Sequence, residues 1–289
     1  MQRKRQKKSK VIIVLILLIA CNISILAVKD DYRFIVTDMA NRAFQKKEIS
    51  EIKASKIKTK SYSILDLQKN DNVTFDQSMM LINKEHTLSE DIKADIVSYK
   101  DTPVKMNKCV VPNFSILSQK IIDKFGETLF ISSSYRTKSE QESIINTNSS
   151  TATDVGASEH QIGLALDVYV KYYSGRGFLK SDVGQYVNSK CWEDGFIIRY
   201  PLGKKDITGI GFEPWHIRYV GLPHSEVIYK NSLTLEEYID KLGVGKFYAV
   251  DDYIISRQNE SGKISLPENF SECTISPDNM GNYIIAIKV

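Results

Sequence analysis

At 289 residues, 42% hydrophobic and 26% charged, the chain reads as a globular protein with room for one sizeable domain and appendages. Its formal charge of +4 comes from the first ten residues, MQRKRQKKSK, which hold six Lys or Arg and no acid, so the remainder is net acidic. That balance lacks the clustered basic footprint of a nucleic-acid binder, and no nucleic-acid partner is expected. The four cysteines, Cys21, Cys109, Cys191 and Cys273, form no C-x-x-C pair and support neither a cysteine-based zinc site nor a disulfide-dense scaffold.

Val11 to Val28, VIIVLILLIACNISILAV, carries no charge, and as a helix it would span about 27 Å, close to the apolar thickness of a bilayer. The basic flank would keep its N-terminal end in the cytoplasm and place the rest of the chain outside. The expectation is an uncleaved single-pass anchor over residues 1–28, with the working domain extracytoplasmic at the cell membrane. Leu18-Ile19-Ala20-Cys21 also resembles a lipobox, which would make the chain a lipoprotein anchored at Cys21, and a cleaved signal peptide is the third reading. The apolar run beyond Cys21 and the lack of an A-x-A site speak against these two.

Residues 29–75 read as stalk and linker: a Lys-rich stretch to about Ser61 with some helical spacing (Phe34, Met39, Phe44), then a polar segment. Residues 76–242 have the texture of a folded domain. MMLINKEH is a short apolar segment followed by a polar turn, and TLSEDIKADIV is expected to begin a helix capped by Ser89. Phe114, Leu117, Ile121, Ile122 and Phe125 lie on one helical face, closed by Gly126. TLFISSSYR reads as a strand running into a turn, SEQESIINT as a short helix, and NTNSSTATDVGAS as a loop. Ser181 to Asp194 is expected helical, GFIIRYPLGKKDITGIGFEPWHIRYVG as strands and turns, and LTLEEYIDKL as the closing helix. Residues 243–289 are β-rich, with DNMGN as a turn signal, and read as a small appendage. Helices and strands interleave without a βαβ period, which predicts an α+β fold with a mostly antiparallel sheet and flanking helices.

There are only four histidines. His86 follows an Asn-Lys-Glu turn and suits the surface; His224, after Pro223, suits a structural place at a helix start. His160 lies in ASEHQIGLALDV, seven residues before Asp167, and His216 lies in EPWH, three residues after Glu213. On a helix His160 and Asp167 would sit about 10 Å apart along the axis, and on a straight strand they would face opposite sides. Only a bent segment lets them meet, and Gly163 supplies the bend, as Pro214 does in the second segment. If the segments converge, His160, Asp167 and His216 form a two-histidine, one-carboxylate site with the fourth position open. That is the donor set of a catalytic rather than a structural zinc. Glu213 is then a spare carboxylate able to accept a proton from water. The alternative leaves Asp167 and Glu213 as surface acids and packs His216 against Trp215.

Ser158-x-His160-x-x-Gly163-x-Ala165-x-Asp167 with Glu213-x-x-His216 resembles the signature of the VanY-type zinc D-Ala-D-Ala carboxypeptidases, a family that includes related L,D-carboxypeptidases of peptidoglycan. LINKEHTLSED, SSSYRTKSEQ and GFIIRYPLGKKDITGIGFEPWHIRYVG resemble its other blocks in the same order, so the likeness runs from about Gln77 to Gly243. The resemblance implies one Zn2+ per chain held by His160, Asp167 and His216, with Glu213 as general base and Arg136 facing the scissile group. It implies Ser158 as a contact to the substrate's C-terminal carboxylate, and Gln141 as a possible lining of the same pocket. The implied reaction is D,D-carboxypeptidase cleavage of the terminal D-Ala-D-Ala bond in peptidoglycan stem peptides or precursors, with a possible part in glycopeptide (vancomycin) resistance. L,D-carboxypeptidase trimming of tetrapeptides and a non-catalytic zinc-stabilised wall-binding module are the alternatives. A serine D,D-peptidase is a poorer match, since Ser55-x-x-Lys58 lies in the stalk without a K-T-G.

Overall fold

A computed structural model of the chain describes residues 30–147 and 153–289. The anchor expected over residues 1–28, and with it the lipobox at Cys21, lies outside the described residues. Among those described, no helix is long and apolar enough to cross a membrane. The chain divides into two units at Phe44/Gln45. The described part of the first is one helix, α1 (Asp30–Phe44), on which Met39 and Phe44 of the expected apolar stripe are exposed.

The second unit begins with β1 (Ser50–Ile52), β2 (Thr59–Tyr62), the one-turn helix α2 (Ile64–Leu67) and β3 (Val73–Phe75). β4 (Ile96–Ser98) and β5 (Lys105–Asn107) precede the long helix α3 (Val110–Phe125), followed by β6 (Phe130–Ser133) and α4 (Lys138–Thr147). A 3-10 turn at Glu159–Ile162 enters β7 (Ala165–Tyr169), and α5 (Asp182–Lys190), β8 (Phe196–Ile198), α6 (Lys205–Thr208) and β9 (His216–Tyr219) come next. Two helices, α7 (His224–Lys230) and α8 (Leu235–Lys241), lead to β10 (Phe247–Val250) and β11 (Tyr253–Asn259). β12 (Ile264–Pro267), β13 (Glu272–Pro277) and β14 (Asn282–Lys288) complete the chain.

Four strands form an antiparallel sheet in the order β6-β7-β9-β8. A six-stranded sheet runs β1-β10-β11-β14-β13-β3, antiparallel except where β13 meets β3. β2 with β12 and β4 with β5 make two-stranded ribbons. The expected α+β class with mainly antiparallel sheets and flanking helices is what the chain adopts.

Three expectations need correction. Residues 45–75 are not a free linker: β1 and β3 are the two edges of the six-stranded sheet, and β2 pairs with β12. These strands are three or four residues long with an exposed face, so they carry too little alternation to be seen as strands. Residues 243–289 are not a separable appendage either. Their sheet takes in the earlier strands and packs Tyr248, Ile255 and Ile284 against Val227, Tyr238 and Ile239 of α7 and α8. Finally, TLSEDIKADIV forms no helix but a turn followed by β4. Ile92, Ala94 and Ile96 alternate with Lys93 and Asp95, a period of two that suits extended chain.

The four-stranded sheet owes its position to α3. Phe114, Leu117 and Ile121 of that helix share a core with Leu166 and Val168 of β7, Ile217 of β9 and Phe196 of β8. Gly126 closes α3 in the left-handed region at φ 68°. Because strand side chains alternate, Asp167, between Leu166 and Val168, faces away from α3; so do His216 and Arg218, on either side of Ile217.

The bend before β7 depends on Gly163, at φ 65°, where an added Cβ would lie 2.6 Å from the Asn107 amide nitrogen and 2.7 Å from Ile96 Cδ1. Gly163→Ala is therefore expected to destabilise the protein by roughly 2–4 kcal/mol, from left-handed strain plus overpacking. Urea unfolding measures it, and a loss under about 0.5 kcal/mol, the range of a neutral surface change, would contradict this account of the bend.

Candidate metal centre

His160 stands on the 3-10 turn, which Gly163 ends. Its ring is buried, and Nδ1 lies 2.8 Å from the Ser134 carbonyl. A carbonyl only accepts, so Nδ1 carries the hydrogen and Nε2 keeps its lone pair. Burial pulls the pKa of His160 down to about 3, against the pull of Asp167, and the ring is neutral.

Asp167 and His216 are direct partners across β7 and β9. The Glu213-Pro214-Trp215-His216 segment is a turn in which the His216 N–H donates to the Glu213 carbonyl at 3.2 Å, with proline at its second position. His160 Nε2 approaches Asp167 Oδ2 to 3.5 Å, and His216 Nδ1 approaches Asp167 Oδ1 to 3.1 Å. The donor atoms of His160, Asp167 and His216 all fall within 4.8 Å of one another.

The electrostatics suit a cation. Asp167 Oδ1 is buried, and despite its nearness to His216 it has no aligned hydrogen-bond donor. Burial would raise the Asp167 pKa, but His216, His160 and Arg136 outweigh it and bring it to about 2. Burial would likewise depress His216, yet its contacts with Asp167 and Glu159 push it up to about 9. Two imidazoles and one carboxylate, buried and converging, fit a single divalent ion that favours nitrogen and oxygen, and His216 must shed a proton to serve as a donor.

Glu213 Oε2 lies 3.6 Å from His216 Nδ1, half-buried at the margin of the donor set. Burial raises its pKa, with the His216, Arg136 and Arg176 charges opposing. The Arg136 backbone N–H donates to the His160 carbonyl at 3.0 Å, and its buried Nε has no hydrogen-bond partner. Arg136 also borders a cleft of about 550 Å3 lined by Ser133, Ser134, Tyr135, Ser139 and Glu140. Ser158 is buried in extended conformation just before the turn, and its hydroxyl makes no capping hydrogen bond. Gln141 is buried but does not line that cleft; its amide nitrogen donates to the Thr153 carbonyl at 2.7 Å.

Behind the donors lies a set of buried charges that the sequence reading missed. Glu159 takes a hydrogen bond from Arg199 Nε at 2.7 Å on Oε1, which also lies 3.3 Å from the Arg218 guanidinium. Burial opposes its charge, but the two arginines prevail and hold its pKa far below the usual range. Arg199 forks onto Glu236 at 2.6 and 2.9 Å, while Arg218 donates to the Ser78 and Met80 carbonyls at 2.9 Å. One signal for Arg218 was available: in HIRY it sits two residues from His216, on the same face of a strand. Glu159, next to His160, carries no comparable sign.

Two histidines and an aspartate gathered on one sheet face, with a further carboxylate beside them, define a mononuclear metal centre of the hydrolytic kind. Comparison with known proteins makes the assignment narrower. Residues 103–222 match the family model VanY, described as D-alanyl-D-alanine carboxypeptidase. A D-alanyl-D-alanine carboxypeptidase of Enterococcus faecium is 34% identical over 190 residues, 60% of this chain and 61% of that protein. The bifunctional D-Ala-D-Ala dipeptidase and D-Ala-D-Ala carboxypeptidase VanXYC of Enterococcus gallinarum is 34% identical over 184 residues, 57% of this chain and 95% of its own. Among solved structures, the vancomycin-resistance D,D-pentapeptidase VanY bound to Zn(II) aligns with TM-score 0.51 and 26% identity, covering 56% of this chain and 98% of that one. The LD-carboxypeptidase LdcB aligns with TM-score 0.52 and 29% identity, over 60% and 92% of the two chains. The chain belongs to the VanY-type D-alanyl-D-alanine carboxypeptidase family.

Stripped with a chelator and titrated with zinc, the protein is expected to bind one ion per chain tightly. His160→Ala and Asp167→Ala should each abolish tight binding, because each removes one of the three donors that converge among the described residues. Isothermal titration would read this, and wild-type affinity in either variant would remove that residue from the donor set.

Proposed function

We propose that the protein is a zinc-dependent D,D-carboxypeptidase that removes the terminal D-alanine from peptidoglycan stem peptides or precursors ending in D-Ala-D-Ala. The observation that carries this reading is the convergence of His160, Asp167 and His216 with Glu213 at their edge. The D-Ala-D-Ala peptidases among its relatives support the substrate class, and the resistance proteins among them support a part in glycopeptide resistance.

In this reading His160 Nε2, the Asp167 carboxylate and His216 Nδ1 would hold the ion. When bound, zinc supplies Lewis-acid polarisation of the scissile carbonyl and of the attacking water. Glu213, whose proton affinity burial has raised, takes a proton from that water and hands it to the departing D-alanine nitrogen. Arg136 offers a permanently charged fork to the developing oxyanion. The Ser158 hydroxyl receives the substrate's terminal carboxylate. Gln141 would line the same pocket: its amide nitrogen is bonded to the Thr153 carbonyl, while its buried Oε1 has no hydrogen-bond partner.

The reading extends to place. Residues 1–28 would hold the catalytic unit at the outer face of the cell membrane, and only their composition supports this. L,D-carboxypeptidase activity is the second reading, favoured by the likeness to LdcB. The metal donors are shared by the two readings, and stereochemistry is set by the walls of the substrate pocket. A non-catalytic wall-binding module has no use for Glu213 at the edge of the donor set.

The purified protein is expected to release D-alanine from a peptide ending in D-Ala-D-Ala, to lose activity in chelator, and to be indifferent to β-lactams. Glu213→Ala should lower kcat by roughly 100- to 10,000-fold while still binding zinc. Full turnover in chelator, or an unimpaired Glu213→Ala enzyme, would contradict the mechanism. Faster release from a peptide ending in L-Lys-D-Ala would reverse the order of the two specificities.

A further inference from the structure

The His216 ring presents two different faces. Nδ1 looks toward Asp167 and Glu213, while Nε2 is buried and has no hydrogen-bond partner. The group facing Nε2 is Glu159 Oε2, 3.9 Å away, which is itself buried and without a hydrogen-bond partner. Glu159 has little freedom to turn elsewhere, because Arg199 and Arg218 grip its other oxygen and Glu236 holds Arg199 from behind. Arg218 is placed for this by the same strand alternation that places His216.

We propose that Glu159 is a positioning residue for the metal centre, whose free carboxylate oxygen keeps the proton of His216 on Nε2 and so leaves the Nδ1 lone pair for the ion. A neutral imidazole carries one proton on one of two nitrogens, and only the nitrogen without it can ligate. A carboxylate behind a ligating histidine settles that choice and the ring orientation together. The site then uses its histidines in opposite senses. The Ser134 carbonyl holds the proton of His160 on Nδ1 and frees Nε2, whereas Glu159 frees Nδ1 of His216. Glu159 thus joins a ligand to a buried cationic support, and its role differs from simply filling the interior.

The inference rests on the zinc reading above, and its test separates the two. In Glu159→Gln the amide oxygen must stay on the arginines, which turns the NH2 group toward His216 Nε2 and favours the wrong tautomer. Zinc affinity of the full chain, measured by competition with a chromophoric chelator, is expected to fall roughly 10–100-fold. Glu236→Gln weakens the same ionic network without facing His216, and should leave zinc affinity within about threefold of wild type even where thermal stability drops. Nitrogen-15 NMR of the zinc-loaded wild type, which does not depend on any variant folding, should show His216 protonated at Nε2 and metal-bound at Nδ1. The proposal is overturned by unchanged zinc affinity in Glu159→Gln, by an equal loss in Glu236→Gln, or by a His216 proton on Nδ1. Wild-type protein that binds no zinc would bring down the zinc reading itself, whereas zinc-binding wild type with an indifferent Glu159→Gln would remove this inference alone.

Discussion

The pairing of Asp167 with His216 across two antiparallel strands places two of the three donors through backbone hydrogen bonds rather than through side-chain packing. Side chains on paired strands alternate with a period of two, so a slip of one residue in either strand would send its donor into the core and turn Leu166 or Ile217 out of it. That register is held by the apolar side chains on the other face, which pack on α3. The third donor has no such ladder. It arrives on a 3-10 turn whose closing glycine occupies a conformation and a space that no side chain could share. Catalytic geometry is thus an outcome of ordinary sheet packing plus one unusual bend.

Behind the sheet face the protein keeps Glu159, Arg199, Arg218 and Glu236, two charges of each sign, almost wholly out of water. Desolvating such groups is unfavourable, and removing one partner of a buried pair costs about 3–5 kcal/mol. The arrangement is tolerable because most of the donors find an acceptor: Arg199 in Glu159 and Glu236, Arg218 in the Ser78, Met80 and Tyr219 carbonyls, with Glu159 beside it as an ion pair. Through those carbonyls the network fastens residues 78–80 to the sheet, and through Glu236 it fastens α8. Segments far apart in sequence are therefore tied to the metal centre by charge, in a region where apolar packing would stabilise equally well but would hold no imidazole in place.

Much of this was legible in the residues. The helical spacing of Phe114, Leu117 and Ile121 with Gly126 behind them marks α3, and the mismatch between His160 and Asp167 demands a bend that Gly163 can supply. Scarcity helped: with four histidines in the chain, two short acid–histidine segments stand out. The short polar strands between Ser50 and Phe75 were not legible, since three or four residues at a sheet edge show no periodicity. Nor was the turn-and-strand path of TLSEDIKADIV, where a capping serine and acidic first turn imitate a helix start while the apolar residues alternate. Glu159 and Arg199 were missed for a different reason. Charged residues beside a turn or at a strand end are usually solvated, and only tertiary contact reveals that these two are buried together.

The most direct test of the account is zinc-edge anomalous diffraction from crystals of the zinc-loaded protein. One strong peak is expected per chain, with His160 Nε2, an Asp167 oxygen and His216 Nδ1 at about 2.0–2.2 Å, and with Glu213 outside the coordination sphere. A peak elsewhere, or one coordinated by Glu213 in place of Asp167, would contradict it.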